Sequence, residues 1–108
     1  MRSGYRLVWS DTALIDLQNI IDYLFDKWTK REVSNFARQL DKRLELIVLN
    51  PQLYPMVEGR INIRRSVLTK QTIIYYEVKH DLVTIVRLFP SRSNPKKLGI
   101  KTHLSFQL

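Results

Sequence analysis

The residues best suited to chemistry in this sequence are three arginines in its second half, Arg65, Arg87 and Arg92. A guanidinium group is planar, keeps its charge at any physiological pH and can hold a phosphate or a carboxylate through two parallel hydrogen bonds. Lys96 and Lys97 follow closely and extend the positive charge. The five residues predict a surface that binds a polyanion or an acidic protein segment, with Arg65 and Arg92 as its most important members.

Partners for acid–base catalysis are harder to find. Cleavage of RNA by its own 2′-hydroxyl needs a base, a cation and an acid for the leaving oxygen. His80 falls in a predicted turn, His103 lies near the C-terminus and Glu58 lies in a predicted loop, positions typical of solvated surface residues. The residues therefore leave open whether the chain is an enzyme. If it is one, we expect a metal-independent RNA endonuclease with Arg65 and Arg92 as candidate catalytic residues.

The positive charge is confined to one region. Residues 60–97 contain nine lysines and arginines against two acids, whereas residues 1–59 contain eight of each sign. The region thus carries most of the net charge of +8. A charge concentrated in one structural block predicts a basic face, which favours nucleic acid or an acidic protein as partner.

Composition narrows the class of protein further. A chain of 108 residues, 44% hydrophobic and 26% charged, fits one globular domain with a two-layer core. The absence of cysteine excludes disulfides, and two distant histidines make a metal site unexpected, so we predict neither metal nor cofactor. No apolar run is long enough for a membrane span or a signal peptide, which predicts a cytoplasmic protein without a membrane partner.

The first half of the chain has the pattern of a strand followed by two helices. Alternation predicts a strand over residues 5–9. Apolar residues at helical spacing predict helices over 11–27 and 30–49, with Asp16 among the residues on the solvent side of the first. The second helix follows a T-x-x-E capping box and ends before Pro51. The short joint predicts an antiparallel helical hairpin.

The second half predicts an antiparallel meander with strands at about residues 60–67, 72–79 and 82–89. Turns at residues 69–70 and 80–81 would place both Arg65 and Arg87 opposite Ile74, about 10 Å apart across two strand spacings. The sheet face under the helices would then consist of Ile61, Ile63, Tyr76, Val78, Val83 and Ile85.

The C-terminal segment differs from the rest. We predict one domain over residues 1–98 and a tail over residues 99–108, in which Leu104, Phe106 and Leu108 alternate with polar residues. The pattern fits either an extra edge strand or a segment that orders on binding, and the sequence does not choose between them.

Three motifs together resemble one known family. The sequence resembles the RelE/ParE superfamily of bacterial toxins over about residues 5–98, most specifically in Ile63-Arg64-Arg65-Ser66-Val67-Leu68, Tyr75-Tyr76-Glu77-Val78 and Arg92-Ser93-Asn94-Pro95. The resemblance implies an α+β, two-layer RelE/ParE-like fold: an N-terminal strand, a helical hairpin, then an antiparallel meander, with the first strand beside the last.

The resemblance also implies a function. It implies a growth-arresting toxin of a type II toxin–antitoxin module, held inactive by an acidic cognate antitoxin and directed at gyrase or at ribosome-bound mRNA, with no small-molecule substrate. Arg65 and Arg92 match positions that handle phosphate in the RNA-cleaving branch. This sequence departs from that branch in two ways. The expected lysines are replaced by Ile61 and Ile63, or displaced to Arg60 and Arg64, and Leu98 replaces an expected tyrosine or histidine.

These departures favour a ParE-like gyrase inhibitor. The alternatives are a RelE-like ribosome-dependent mRNA endonuclease and a non-toxic basic module that binds nucleic acid.

Overall fold

The computed structural model describes residues 4–27, 29–69 and 72–90. Its elements follow in the predicted order: β1 (Arg6–Trp9), α1 (Asp11–Lys27), α2 (Lys30–Leu49), a 3₁₀ turn (Pro51–Leu53), β2 (Ile63–Thr69), β3 (Thr72–Lys79) and β4 (Leu82–Pro90). Both helices begin and end where the sequence predicted, and the strands agree within a few residues.

Side-chain caps define the helix starts. The Ser10 hydroxyl accepts a hydrogen bond from the Ala13 N–H (2.9 Å) and donates one to the Val86 carbonyl (3.1 Å), so it caps α1 and ties it to β4. Thr29 and Glu32 form the predicted capping box at the start of α2. α2 ends at Leu49 because Asn50 precedes a proline and leaves the helical region.

The four strands form one sheet in the order β1-β4-β3-β2. β1 pairs with β4 in parallel, and the other two pairings are antiparallel. The first strand therefore lies beside the last, as the family resemblance implied. This confirms the predicted α+β fold with an N-terminal strand, two helices and an antiparallel meander.

The core lies between the two helices and one face of the sheet. Its buried members are Ala13, Phe36, Leu40, Leu44, Ile47, Leu68, Ile74, Tyr76, Val83, Ile85 and Leu88. Each large apolar side chain buried here contributes roughly 1.5–3 kcal/mol to folding. The fully buried Tyr76 donates its hydroxyl hydrogen to the Pro51 carbonyl (2.7 Å), which satisfies the phenol and fixes the loop after α2.

The register of β2 against β3 differs from the prediction by one residue. Ser66 rather than Arg65 lies opposite Ile74, and Arg65 lies opposite Tyr75. A further register shift between Val67 and Thr69 places Thr69 opposite Thr72. Because a shift of one residue moves every side chain to the other face, Arg65 leaves the helix-covered face. Ile61 is 81% exposed, so its predicted place in the core is wrong.

Contacts between α2 and β2 explain the observed register. Arg43 of α2 donates hydrogen bonds through Nη1 to the Ser66 hydroxyl and the Val67 carbonyl, both at 2.7 Å. Arg64, now on the helix side, donates to the Tyr54 carbonyl (2.6 Å). These bonds depend on contacts between different elements, which the local sequence does not reveal. The prediction rested on Ile61 and Ile63, whose alternation had placed both isoleucines on the face under the helices.

The second hairpin agrees with the prediction up to a bulge. Val83 lies opposite Val78 and Ile85 opposite Tyr76, as predicted. A register shift then makes Val86 the extra residue, so Arg87 lies opposite Tyr75 and Leu88 opposite Ile74. The prediction that Arg87 faces Ile74 is wrong, because the bulge turns Leu88 into the core instead.

Neither helix within the described ranges combines the length and the apolar character that crossing a membrane requires.

Candidate target-binding face

The face of the sheet away from the helices carries a row of three side chains across three strands. Arg65 on β2 and Arg87 on β4 both pair with Tyr75 on β3. Residues that lie directly opposite each other in neighbouring strands project from the same face. The two arginines are thus brought together about 10 Å apart across two strand spacings, as expected, but around Tyr75 and on the open face.

Arg87 is neutralised within the fold. Its Nε and Nη2 atoms donate to the two carboxylate oxygens of Asp16 on α1, at 2.7 and 3.0 Å. The Leu88 N–H donates to the same carboxylate (3.0 Å), and the Arg87 guanidinium lies 4.5 Å from the ring centroid of Phe89. The Arg87 side chain is only 16% exposed. These contacts give Arg87 a structural task, and its predicted part in target binding stays a prediction.

Arg65 has the opposite environment. Its side chain is exposed, while its backbone N–H donates to the Pro55 carbonyl (3.0 Å) and so attaches β2 to the preceding loop. Burial raises the pKa of the neighbouring Tyr75, and the positive charge of Arg65 offsets part of that rise. The row therefore presents an exposed cation beside a tyrosine that stays protonated at neutral pH.

A shallow groove of about 410 Å³ adjoins this row. Its lining residues are Val57, Gly59, Arg60, Ile61, Ile63, Tyr75, Glu77 and Val86. Gly59 has φ of +80°, a conformation that favours glycine, and it lets the chain turn beside the groove before β2 begins. The lining combines apolar walls with one cation and one carboxylate, a combination suited to binding a segment of protein.

Three predicted site residues, Arg92, Lys96 and Lys97, lie outside the described residues. Two of the residues considered for catalysis do not join the row: His80 is exposed in the turn between β3 and β4, and Glu58 is exposed in the loop before β2. The other histidine, His103, also lies outside the described residues. Over residues 4–27, 29–69 and 72–90 no three histidine, cysteine or acidic side chains are grouped closely enough to hold a metal ion.

Sequence reasoning missed the role of Asp16. We placed it on the solvent side of α1, whereas its side chain is only 11% exposed and bonds to Arg87. One feature of the sequence could have indicated this role: Asp16 follows Ala13 by three residues, so the two lie on the same side of the helix. Since Ala13 is fully buried, Asp16 lies at the margin of the buried stripe. Nothing local in the sequence joins it to an arginine 71 positions away.

The structure has two helices that cover one face of a four-stranded sheet and leave the other face open. Known proteins share this architecture. The profile of the ParE toxin of the type II toxin–antitoxin system, parDE, matches residues 7–95. The chain therefore belongs to the ParE toxin family, within the RelE/ParE superfamily. It is a toxin of the type II toxin–antitoxin class.

Solved structures share the fold at low sequence identity. A chain of the chromosomal ParDE system from P. aeruginosa superposes with a TM-score of 0.68 at 16% identity, covering 82% of this chain and 97% of that one. The isolated E. coli RelE toxin gives 0.60 at 14% identity, covering 93% and 98%. A chain of the E. coli DinJ–YafQ toxin–antitoxin complex gives 0.55 at 14%, covering 81% and 92%. No curated protein sequence matches this chain.

Proposed function

We propose that this toxin arrests growth by binding DNA gyrase through the open face of its sheet, without carrying out chemistry on nucleic acid. The observation that carries the proposal is the difference in environment between the two arginines that flank Tyr75. Arg65 is exposed, whereas Arg87 is neutralised by Asp16. Such a row offers one cation for recognition and, between the arginines, a tyrosine whose raised pKa makes it a poor acid near pH 7.

Family membership supports the same branch. The matching profile is that of the ParE toxin, and it spans the meander that carries Arg65 and Arg87. An RNA endonuclease would instead need groups that gain and lose protons near neutral pH around the scissile phosphate.

A supercoiling assay tests the proposal. The purified chain should inhibit gyrase, and Arg65→Ala should inhibit it at least about tenfold less, since a lost charged contact at an interface costs roughly 2–5 kcal/mol. Arg38→Ala is the matched control, because Arg38 is exposed on α2 and hydrogen-bonds to Asn35 within the same helix. Cleavage of ribosome-bound mRNA, detected by primer extension, with gyrase unaffected would replace the proposal with the endonuclease alternative.

We also propose that the chain pairs with a small acidic antitoxin. The outer edge of β2 is occupied, because Ile63 and Arg65 hydrogen-bond to the Val57 N–H and the Pro55 carbonyl and Arg43 holds the Val67 carbonyl. A strand added by the antitoxin would therefore pair with β1, the strand at the opposite end of the sheet.

A helix of the antitoxin would bind at a different place, an exposed apolar stripe on α1. Leu14 and Phe25 are 48% and 55% exposed and lie on one helical stripe with Ile21. Co-purification with the product of the neighbouring gene tests this pairing. Phe25→Asp should release that product, while Leu53→Asp, a change at an equally exposed leucine in the 3₁₀ turn, should retain it. Retention by both variants would place the antitoxin elsewhere.

A further inference from the structure

The open face of the sheet carries more apolar surface than a solvated face needs. Ile61 is 81% exposed and lines the groove together with Val57, Ile63 and Val86. Val67, further along β2, is 51% exposed. The solvent side of an antiparallel sheet usually alternates to polar residues. Contiguous exposed apolar surface of this kind marks a site of contact with another segment.

The lining of the groove also carries a carboxylate, Glu77, besides the cation Arg60. Glu77 is half-buried and pairs across the sheet with Ile63 and Thr84. Among the described residues no ion pair or hydrogen bond is made by its carboxylate. A carboxylate flanked by apolar walls favours a binding segment that brings both apolar side chains and a cation.

The last ten residues of the chain have this composition. Leu104, Phe106 and Leu108 alternate in the manner of an extended segment with one apolar side, and Lys101 precedes them. Residues 99–108 contain one lysine, Lys101, and no acid, so the charge of the segment complements that of Glu77. The family match ends at residue 95, so the segment lies beyond the matched range.

The geometry lets the segment reach the groove. β4 ends at Pro90, and Val86 lies four residues back along the same strand, about 13 Å away. Residues 91–98 suffice to reverse the chain direction, and ten extended residues then span about 33 Å. A short tether also raises the effective concentration of the segment at the face to the millimolar range.

We propose that residues 99–108 dock across the open face, with their alternating apolar side chains against Ile61, Ile63 and Val86 and with Lys101 near Glu77. The segment covers apolar surface on its own domain. If the same face is the target-binding face, a target must displace the segment; that consequence rests on the proposed function, whereas the docking does not.

Paramagnetic labelling tests the docking in the full-length chain. Because the chain has no cysteine, Gln107→Cys provides a single attachment point for a nitroxide. The label should broaden the backbone amide signals of Ile63, Glu77 and Val86 and leave that of Arg38 on α2 sharp. Equal broadening at both surfaces, or broadening at α2 alone, would overturn the proposal.

A second change separates docking from general proximity. Ile61→Asp alters an exposed side chain and should remove the broadening at the groove without unfolding the chain. Leu53→Asp, at a leucine that is 54% exposed in the 3₁₀ turn, is the matched control and should preserve it. Broadening that survives Ile61→Asp would show that the segment does not bind this groove. The readout is spectroscopic and does not depend on gyrase. The experiment can therefore support docking even if the chain does not inhibit gyrase, and it can exclude docking even if the chain does.

Discussion

Asp16 and Arg87 lie 71 positions apart and form a two-pronged ion pair at 2.7 and 3.0 Å that joins α1 to β4. The pair neutralises one of the two arginines that flank Tyr75 and leaves the other, Arg65, exposed to solvent. The two arginines, on the strands that flank β3, thus have different tasks: Arg87 stabilises the fold, and Arg65 is available to a partner.

The first prediction concerns this ion pair. Asp16→Asn should lower the free energy of unfolding by about 3 kcal/mol, the low end of the range for breaking a buried pair, because both side chains keep some exposure. The cost arises because the Arg87 guanidinium stays largely buried without a counter-charge. Urea denaturation monitored by circular dichroism measures the change.

Asp22→Asn is the control for this change. Asp22 is exposed on α1 and accepts a hydrogen bond from Gln18 (2.9 Å), so its loss should cost no more than about 0.5 kcal/mol. Equal stability of the two variants would mean that the ion pair contributes nothing to folding.

The second prediction separates toxicity from stability. Arg65→Ala and Arg92→Ala should abolish growth inhibition with little change in melting temperature. Arg65 is exposed, and a substitution at an exposed arginine shifts stability by only about 0.5 kcal/mol. Arg87→Ala should lower the melting temperature, since it leaves the Asp16 carboxylate unpaired. Induction of each variant in cells and thermal unfolding of the purified chains measure the two effects.

Arg38→Ala should change neither toxicity nor stability, since Arg38 is exposed on α2. Full toxicity of the Arg65 and Arg92 variants would show that these arginines do not bind the target. A loss of toxicity that accompanies unfolding would leave the target-binding role without support.

The third prediction concerns alkaline pH. Burial is the main cause that raises the pKa of Tyr76 to about 12, from 10.0 in the unfolded chain. Between those values the folded chain keeps a proton that the unfolded chain has lost, so stability present below pH 10 is lost as pH rises toward 12. The loss approaches about 1.4 kcal/mol per pH unit within that window.

Tyr76→Phe isolates this contribution. The variant loses the hydrogen bond to the Pro51 carbonyl and should be about 1 kcal/mol less stable at pH 8. Its stability should then fall less steeply between pH 10 and 12 than that of the parent chain. Urea denaturation at several pH values provides the comparison, and parallel pH profiles would contradict the assignment.

The fourth prediction concerns the start of α2. Thr29 accepts a hydrogen bond from the Glu32 N–H (3.3 Å), and Glu32 accepts one in return from the Thr29 N–H (3.3 Å). Thr29→Ala should therefore cost about 1 kcal/mol. Ser34→Ala, at an exposed position within the same helix, should be neutral or slightly stabilising. A similar effect of both changes on thermal unfolding would rule out a specific capping contribution.

Local sequence was enough to predict every helix and strand of the described chain. Ser10, the Thr29–Glu32 capping box and Pro51 mark helix ends through bonds and steric limits within a few residues. Alternating apolar residues indicated the strands in the same local way. The position of β1 beside β4 was predicted from the family resemblance, because no local sequence pattern indicates which strands pair.

Register and pairing across the sheet were decided by tertiary contacts. Arg65 and Ile63 of β2 lie on the open face because Arg43 of α2 bonds to Ser66 and Val67, and both faces of β2 offered a plausible apolar set. The bulge at Val86 placed Arg87 opposite Tyr75. A slip of one residue leaves local propensity unchanged yet exchanges the two faces of a strand, so only packing between distant elements could choose.

The candidate site divides in the same way. The sequence by itself determined that Arg65 and Arg87 belong to one basic block and lie two strands apart, because charge and strand spacing follow from residue order. Only the tertiary structure decided that Asp16 neutralises Arg87 while Arg65 stays exposed. An ion pair depends on where two side chains meet in space, and the fold brings α1 against β4 across 71 positions of sequence.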